Sequence, residues 1–201
     1  MESVSDLTVL SAVMAGITLS AAAGLRVFLP ILALGLSVRM GWLHVGEEFV
    51  WLASEPVLII VGIAAALEAG AYYIPLVDNL LDILATPAAI GGGTVIVASL
   101  LPEMNDLAQW GTALTLGGGS AGIVQGATVV ARGLSTASSG GLANPVVSTG
   151  ETAGSLFTIV MALLIPIVFG IIVIIALTAT VVWLARWLRR RNSPPVGPGP
   201  V

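Results

Sequence analysis

Apolar residues gather along this chain into five long blocks, over 7–38, 57–74, 80–101, 107–131 and 155–187, separated by short stretches rich in glycine, proline and charge. A bilayer crossing needs about 20 apolar residues at 1.5 Å rise each, so the three middle blocks each predict one transmembrane helix. The first and last blocks, 32 and 33 residues by those bounds, are too long for a single straight span. The last contains Pro166 and predicts one tilted, kinked span that continues into 186–191. The first is broken by Gly24, Arg26 and Pro30, and reads either as one kinked span or as a span followed by a short return segment. The expected fold is all-α: a polytopic helical membrane protein of five or six spans with broken helices.

Punctuation between the blocks supports these edges. Ser54, Glu55 and Pro56 read as a helix start, with a capping hydroxyl, an acid and an early proline. Pro75 followed by Asp78 ends one helix and opens the next, predicting a tight hairpin between the second and third blocks. Trp42, Trp51, Trp110, Trp183 and Trp187 fall near block ends, where interfacial aromatics belong. Arg186, Arg189, Arg190 and Arg191 mark the C-terminus as cytoplasmic by the positive-inside bias. Counting spans backwards then places the 39–56 loop on that same side. The two readings of the first block differ only in the side of the N-terminus.

Composition narrows the picture. A mean hydropathy of +1.04 and 9% charged residues exclude an ordinary soluble domain, in which about a quarter of residues are charged. The net charge of −4 has no basic stripe, which argues against nucleic-acid binding. Every basic residue is arginine, which stays charged when buried and can clamp a carboxylate through two hydrogen bonds. Cysteine is absent, which removes disulfides and thiolate metal sites, and the single His44 lies in a loop. No metal site and no cofactor is expected. The acidic N-terminus lacks the basic region of a secretory signal, so the first apolar stretch is expected to stay as a span. One transmembrane domain is expected over 1–191, followed by a disordered Pro/Gly-rich cytoplasmic tail over 192–201.

Against this background, a few charges stand inside or at the rim of apolar sequence: Arg26, Glu68, Asp78, Asp82 and Arg132. An ionisable group at the bilayer centre costs roughly 2.5–3.5 kcal/mol on insertion scales, so it faces a partner or a water-filled path. Asp78 and Asp82 are four residues apart and share a helical face, and Glu68 approaches the same layer across the Pro75 turn. Such a set suits a cation site, a proton relay or an Arg-clamped anion site. The plainer alternatives are a helix cap at Asp78, and structural ion pairs of Glu68 and Asp82 with Arg26 or Arg132. The stretch 132–151 is rich in hydroxyls and reads as an extracytoplasmic linker, or as a re-entrant loop turning at Asn144 and Pro145, with Ser135 and its neighbours along a polar path. Glu151 then sits at the start of the last helix, where a helix N-terminus favours an acid.

The run 117–122 (GGGSAG) contains a formal dinucleotide-binding and a formal hydrolase pattern. Neither has the strand, the acidic residue or the histidine that its chemistry requires. Gly118, Gly122 and Gly126 at four-residue intervals predict close helix packing instead. Gly91, Gly92 and Gly93, after Pro87, predict an interruption of the third block. Ala15, Gly16, Ile17, Ala21 and Arg26 recur at one constant offset as Ala121, Gly122, Ile123, Ala127 and Arg132, a weak internal repeat. The two copies are inverted if the first block is one span and parallel if it is a hairpin.

The run 20–30 (SAAAGLRVFLP), with Glu68 and the run 74–78 (IPLVD), resembles the domain-of-unknown-function 4126 family of small bacterial integral-membrane proteins. The resemblance covers most of the first four blocks, and the hairpin around Pro75 is its most specific part. Members often carry a charged pair just before that proline, where this chain has Tyr72 and Tyr73. The resemblance implies polar residues within a membrane bundle and supplies neither a substrate nor an activity. No catalytic residue and no enzymatic function are expected. The first functional expectation is a small transporter or channel-like protein for an ion or small polar solute, in a homo-oligomer within the cytoplasmic membrane. The alternative is a non-catalytic scaffold or accessory subunit whose charges are paired for assembly.

Overall fold

The computed structural model describes residues 2–71 and 77–191, with side chains described for 6–71, 83–187 and 189. The tight turn expected around Pro75 and the tail expected over 192–201 lie outside the described residues. Within them the chain is helical, without strands. Among the described residues five helices are long and apolar enough to cross a membrane, or six if a bent pair is one span.

Helix α1 (Glu2–Ala23) ends in a short break, and α2 (Phe28–Arg39) follows it. The break is tight because Gly24 meets α6: a Cβ there would lie 2.4 Å from the carbonyl oxygen of Ala121. Pro30 starts α2 and does not break it. It occupies the third helical position, where a backbone N–H has no intrahelical acceptor to lose. The loop after α2, residues 42–46, lies beside Leu7, Thr8 and Ser11 of α1. The first block is therefore a hairpin, and α2 runs back along α1.

A 3-10 helix (Glu47–Ala53) bends by 59° into α3 (Glu55–Ala71). Gly35 packs on Leu52 and Leu58, while Glu68 meets the backbone of Val27 and Phe28, so α3 is antiparallel to α2. Helix α4 (Val77–Leu100) runs uninterrupted through Pro87 and the three glycines, contrary to the break the sequence suggested. The glycines serve packing. A Cβ on Gly93 would lie 2.7 Å from the Gly117 carbonyl oxygen, and one on Gly92 would lie 3.1 Å from Ile31. Gly118 and Gly122 pack on Thr94 and Ile90, as expected of them, whereas Gly126 faces open space.

The fourth block is a continuous 34-residue rod, α5 (Asp106–Ala113), a π-helical turn (Leu114–Gly118) and α6 (Gly119–Ser139). Asn105 caps it, its side chain accepting from the Ala108 N–H at 3.0 Å. The wide turn sits where the rod crosses α4 at Gly93 and re-phases the helix face beyond it. Helix α6 continues to Ser139, and α7 (Asn144–Leu164) begins five residues later. The stretch 132–151 is thus neither linker nor re-entrant loop. Its turn lies at Gly140 and Gly141, with φ of 63° and 90°, and Asn144 and Pro145 begin a helix.

The fifth block also differs from expectation. Ile165 breaks it between α7 and α8 (Pro166–Arg191), and Phe157 and Phe169 stack edge-on with centroids 5.7 Å apart. Twelve residues of straight helix span roughly 18 Å, so α7 and α8 fold back on each other. This extra reversal alters the topology. Ile167, at the start of α8, shares a cavity with residues 42–46, and the far end of α8 lies at the opposite end of the bundle. The 39–56 loop is therefore on the other side from the C-terminal arginines. Trp42, Trp51 and Trp110 mark one end, Trp183 and Trp187 the other, and all five are exposed.

Helices α1, α3, α5–α6 and α8 run one way and α2, α4 and α7 the other. The core between them is built from small residues and a few larger ones, including Leu19, Ala22, Val97, Ala113 and Ala121. The repeated segments of α1 and α6 run parallel, as a first-block hairpin requires, and diverge after their arginines: α1 breaks and α6 continues.

Candidate functional site

The tip of the α1–α2 hairpin is the centre of the site. Ala88 of α4 lines the same cleft as Val27 and Glu68, and α4 starts eleven residues earlier, at Val77. At 1.5 Å per residue the tip lies roughly 16 Å inside that end of the bundle. Irregular backbone at such depth is tolerated only when protein or a cavity surrounds it. Gly24, Arg26 and Val27 are indeed buried.

The first N–H groups of α2 need acceptors that α2 does not contain. Val27, at the cap position, has no side-chain acceptor to offer. Glu68 of α3 fills this role from across the hairpin: Oε1 accepts from the Val27 N–H at 2.8 Å and Oε2 from the Phe28 N–H at 3.1 Å. A carboxylate at a helix N-terminus is also favoured by the helix dipole.

Arg26, with 0% of its surface exposed, points the other way, into α7. Its Nε donates to Thr152 Oγ1 at 2.9 Å, and Nη2 donates to the Ser148 carbonyl at 2.8 Å and to Ser148 Oγ at 2.5 Å. The same Nη2 lies 3.6 Å from Glu151 Oε2. Arg132 of α6 grips Glu151 with two parallel bonds, Nε to Oε1 at 2.9 Å and Nη2 to Oε2. One carboxylate is thus shared by two guanidiniums. Among the described residues the layer holds two positive and two negative groups, buried together.

A polar seam joins this layer to the turn between α6 and α7. On α6 the buried residues Gln125, Thr128, Arg132 and Ser135 recur at three- and four-residue steps, and Ser139 continues the row. On α7 the facing row is Asn144, Ser148, Glu151 and Ser155. Two membrane helices thus meet through polar stripes of heptad spacing, while Val130, Leu134, Val146 and Phe157 face outward. Asn144 Nδ2 donates to Thr136 Oγ1 at 3.2 Å, and the Ala143 N–H donates to Ser139 Oγ at 3.0 Å, which pins the turn. Beyond the layer the seam ends at Ser155, whose hydroxyl donates to the Ala22 carbonyl at 3.3 Å. There the Gly93–Gly117 crossing closes the bundle.

The structure brings together Arg26, Glu68, Arg132, Ser135, Asn144 and Glu151 from among the residues singled out by sequence. It does not pair the arginines with Glu68 directly: among the described residues the carboxylate beside them is Glu151. The side chains of Asp78 and Asp82 lie outside the described residues, so the cap and the ion pairs expected of them do too. Ser148 and Thr152, which anchor Arg26, were not foreseen. A cleft of about 340 Å³ adjoins Glu68 between α3 and α4, lined otherwise by apolar residues such as Ala64, Leu67, Leu84 and Ala88.

A family model described as a domain of unknown function (DUF4126) matches residues 13–187. The chain belongs to this family. The match includes every residue of the charged layer and both rows of the seam, so the site lies wholly inside the family's domain. No curated protein and no solved structure matches the chain.

Proposed function

We propose that this membrane-embedded protein is a small transporter or channel-like protein, carrying an ion or small polar solute along the α6–α7 seam to the charged layer at the hairpin tip. The observation that carries this reading is the buried polar row on each of two facing membrane helices, leading from the Gly140–Gly141 turn to Arg132 and Glu151. Polar groups within a bilayer are costly and face a bundle interior or a water-filled path, and discontinuous helices at mid-depth commonly frame transport sites. The four C-terminal arginines favour a cytoplasmic position for the end of α8, and the seam then opens on that side. The reading extends to a homo-oligomer in a bacterial cytoplasmic membrane, without enzymatic activity.

A second reading, a scaffold or accessory subunit with structural ion pairs, is favoured by one specific fact: both described carboxylates of the layer already have donors. The two readings part in reconstituted liposomes. The full chain is expected to dissipate a gradient of at least one of protons, alkali cations or small anions, and Arg132→Gln to abolish that flux. If folded protein moves none of them, the transport reading fails and the scaffold stands.

A further inference from the structure

Resting on the transport reading, we propose that the charged layer takes a small monovalent anion, in the place that the Glu151 carboxylate now holds. The carboxylate is then a built-in competitor that the solute must displace. Three observations converge on this. First, Glu151 Oε2 is shared by Arg26 and Arg132, one from the hairpin tip and one from α6. Planar guanidiniums set around one point form a receptor for an anion of carboxylate or nitrate size. Second, every described carboxylate oxygen of the layer already accepts a hydrogen bond. Glu68 accepts two backbone N–H groups and Glu151 accepts the Arg132 fork, so a cation entering here would meet two guanidiniums first. Third, Ser135 is 9% exposed, and its Oγ is buried with no hydrogen-bond partner among the described residues. It stands one turn from Arg132 on the same face of α6, within the seam. A buried hydroxyl left without a partner calls for an explanation, and an anion passing Ser135 towards Arg132 would accept a hydrogen bond from it.

Size follows from the lining. Ser135, Ser148, Thr152 and Ser155 are short side chains between closely packed helices, which suits chloride, nitrate or formate and excludes bulky organic anions. Glu68 completes the arrangement. It keeps the layer from holding excess positive charge once Glu151 swings aside, because the anion replaces one negative charge with another.

The test uses full-length protein in liposomes with gradients of chloride, nitrate or formate, an ionophore balancing charge. Wild type is expected to move these anions, Glu151→Gln to move them roughly tenfold faster or more as the charged competitor is lost, equivalent to about 1.4 kcal/mol, and Arg132→Gln to be silent. Flux of Na⁺, K⁺ or protons with no anion flux overturns this inference and leaves the transport reading standing. Absence of any flux overturns both. If Glu151→Gln does not fold, Glu151→Asp, which retracts the charge by one methylene, takes its place, with faster anion flux again expected. In detergent, chloride or nitrate should raise the unfolding midpoint of the Glu151 variant above its value in gluconate at equal ionic strength. No such difference overturns the proposal.

Discussion

Replacing Glu68 by alanine removes the only acceptor that the described residues provide for the Val27 and Phe28 N–H groups, now bonded at 2.8 and 3.1 Å. These donors sit at the hairpin tip, roughly 16 Å from the nearer end of the bundle, beside an apolar cleft. An orphaned buried donor costs about 1–3 kcal/mol, so the pair costs roughly 2–6 kcal/mol. The loss of a carboxylate at the α2 N-terminus adds to this. Glu68→Gln keeps one acceptor oxygen and turns an amide N–H₂ toward the other donor, so about half the loss is expected, roughly 1–3 kcal/mol. Equilibrium unfolding of the purified protein in mixed micelles measures both, and amide exchange over 24–30 locates the effect. A Glu68→Ala protein within about 0.5 kcal/mol of wild type, the range of a neutral surface change, with Val27 and Phe28 still protected, would refute the capping role.

Three further outcomes follow from the same geometry. Gly93→Val is expected to disrupt folding, because its Cβ would lie 2.7 Å from the Gly117 carbonyl oxygen, while Gly126→Ala, with nothing within 4 Å, should be tolerated in the same unfolding assay. Arg132→Ala should cost about 3–5 kcal/mol by leaving Glu151 with less of its compensation. Adding Glu151→Ala should recover only part of this, since Arg26 then loses its nearby carboxylate, and a double-mutant cycle reads that coupling. The chain has no native cysteine, so His44→Cys and Arg189→Cys, at the far end of α8, can be labelled singly with a membrane-impermeant reagent. They should react from opposite sides of the membrane, and labelling from one side would contradict the α7–α8 reversal.

The helical membrane fold and its charged centre were legible because a charge in apolar sequence is a strong physical signal. Arg26, Glu68 and Arg132 all proved buried at the hairpin tip. The hairpin itself stood as one of two readings, because nothing in the sequence shows that α2 folds back along α1. The partner of the arginines was missed for a different reason. Serine, threonine and glycine between Arg132 and Glu151 lower local hydropathy to that of a loop, yet their polar members repeat at three- and four-residue steps on both α6 and α7. That period was present in the sequence and would have pointed to two helices facing each other through polar stripes. The glycines misled for a related reason. Hydropathy and turn propensity read Gly91–Gly93 as a break, whereas the deciding influence is the backbone of Gly117 pressing on Gly93, a contact 24 positions away. The break at Ile165 was obscured because apolar residues continue on both sides of it, so one long block concealed two antiparallel helices.

The central claim is that the α6–α7 seam is a path for solute and not a sealed polar joint. Thiol reactivity at adjacent positions of α6 tests it most directly, with Ser135→Cys in the seam and Leu134→Cys, at a site 67% exposed on the outer face. In liposomes, a small water-soluble, membrane-impermeant thiol reagent applied from the side of the Gly140–Gly141 turn is expected to modify Ser135→Cys and leave Leu134→Cys, which lipid surrounds, untouched. Chloride or nitrate should slow the reaction at Ser135→Cys. If Ser135→Cys is as inert as Leu134→Cys while the protein remains folded, the seam admits no water and the account of transport is wrong.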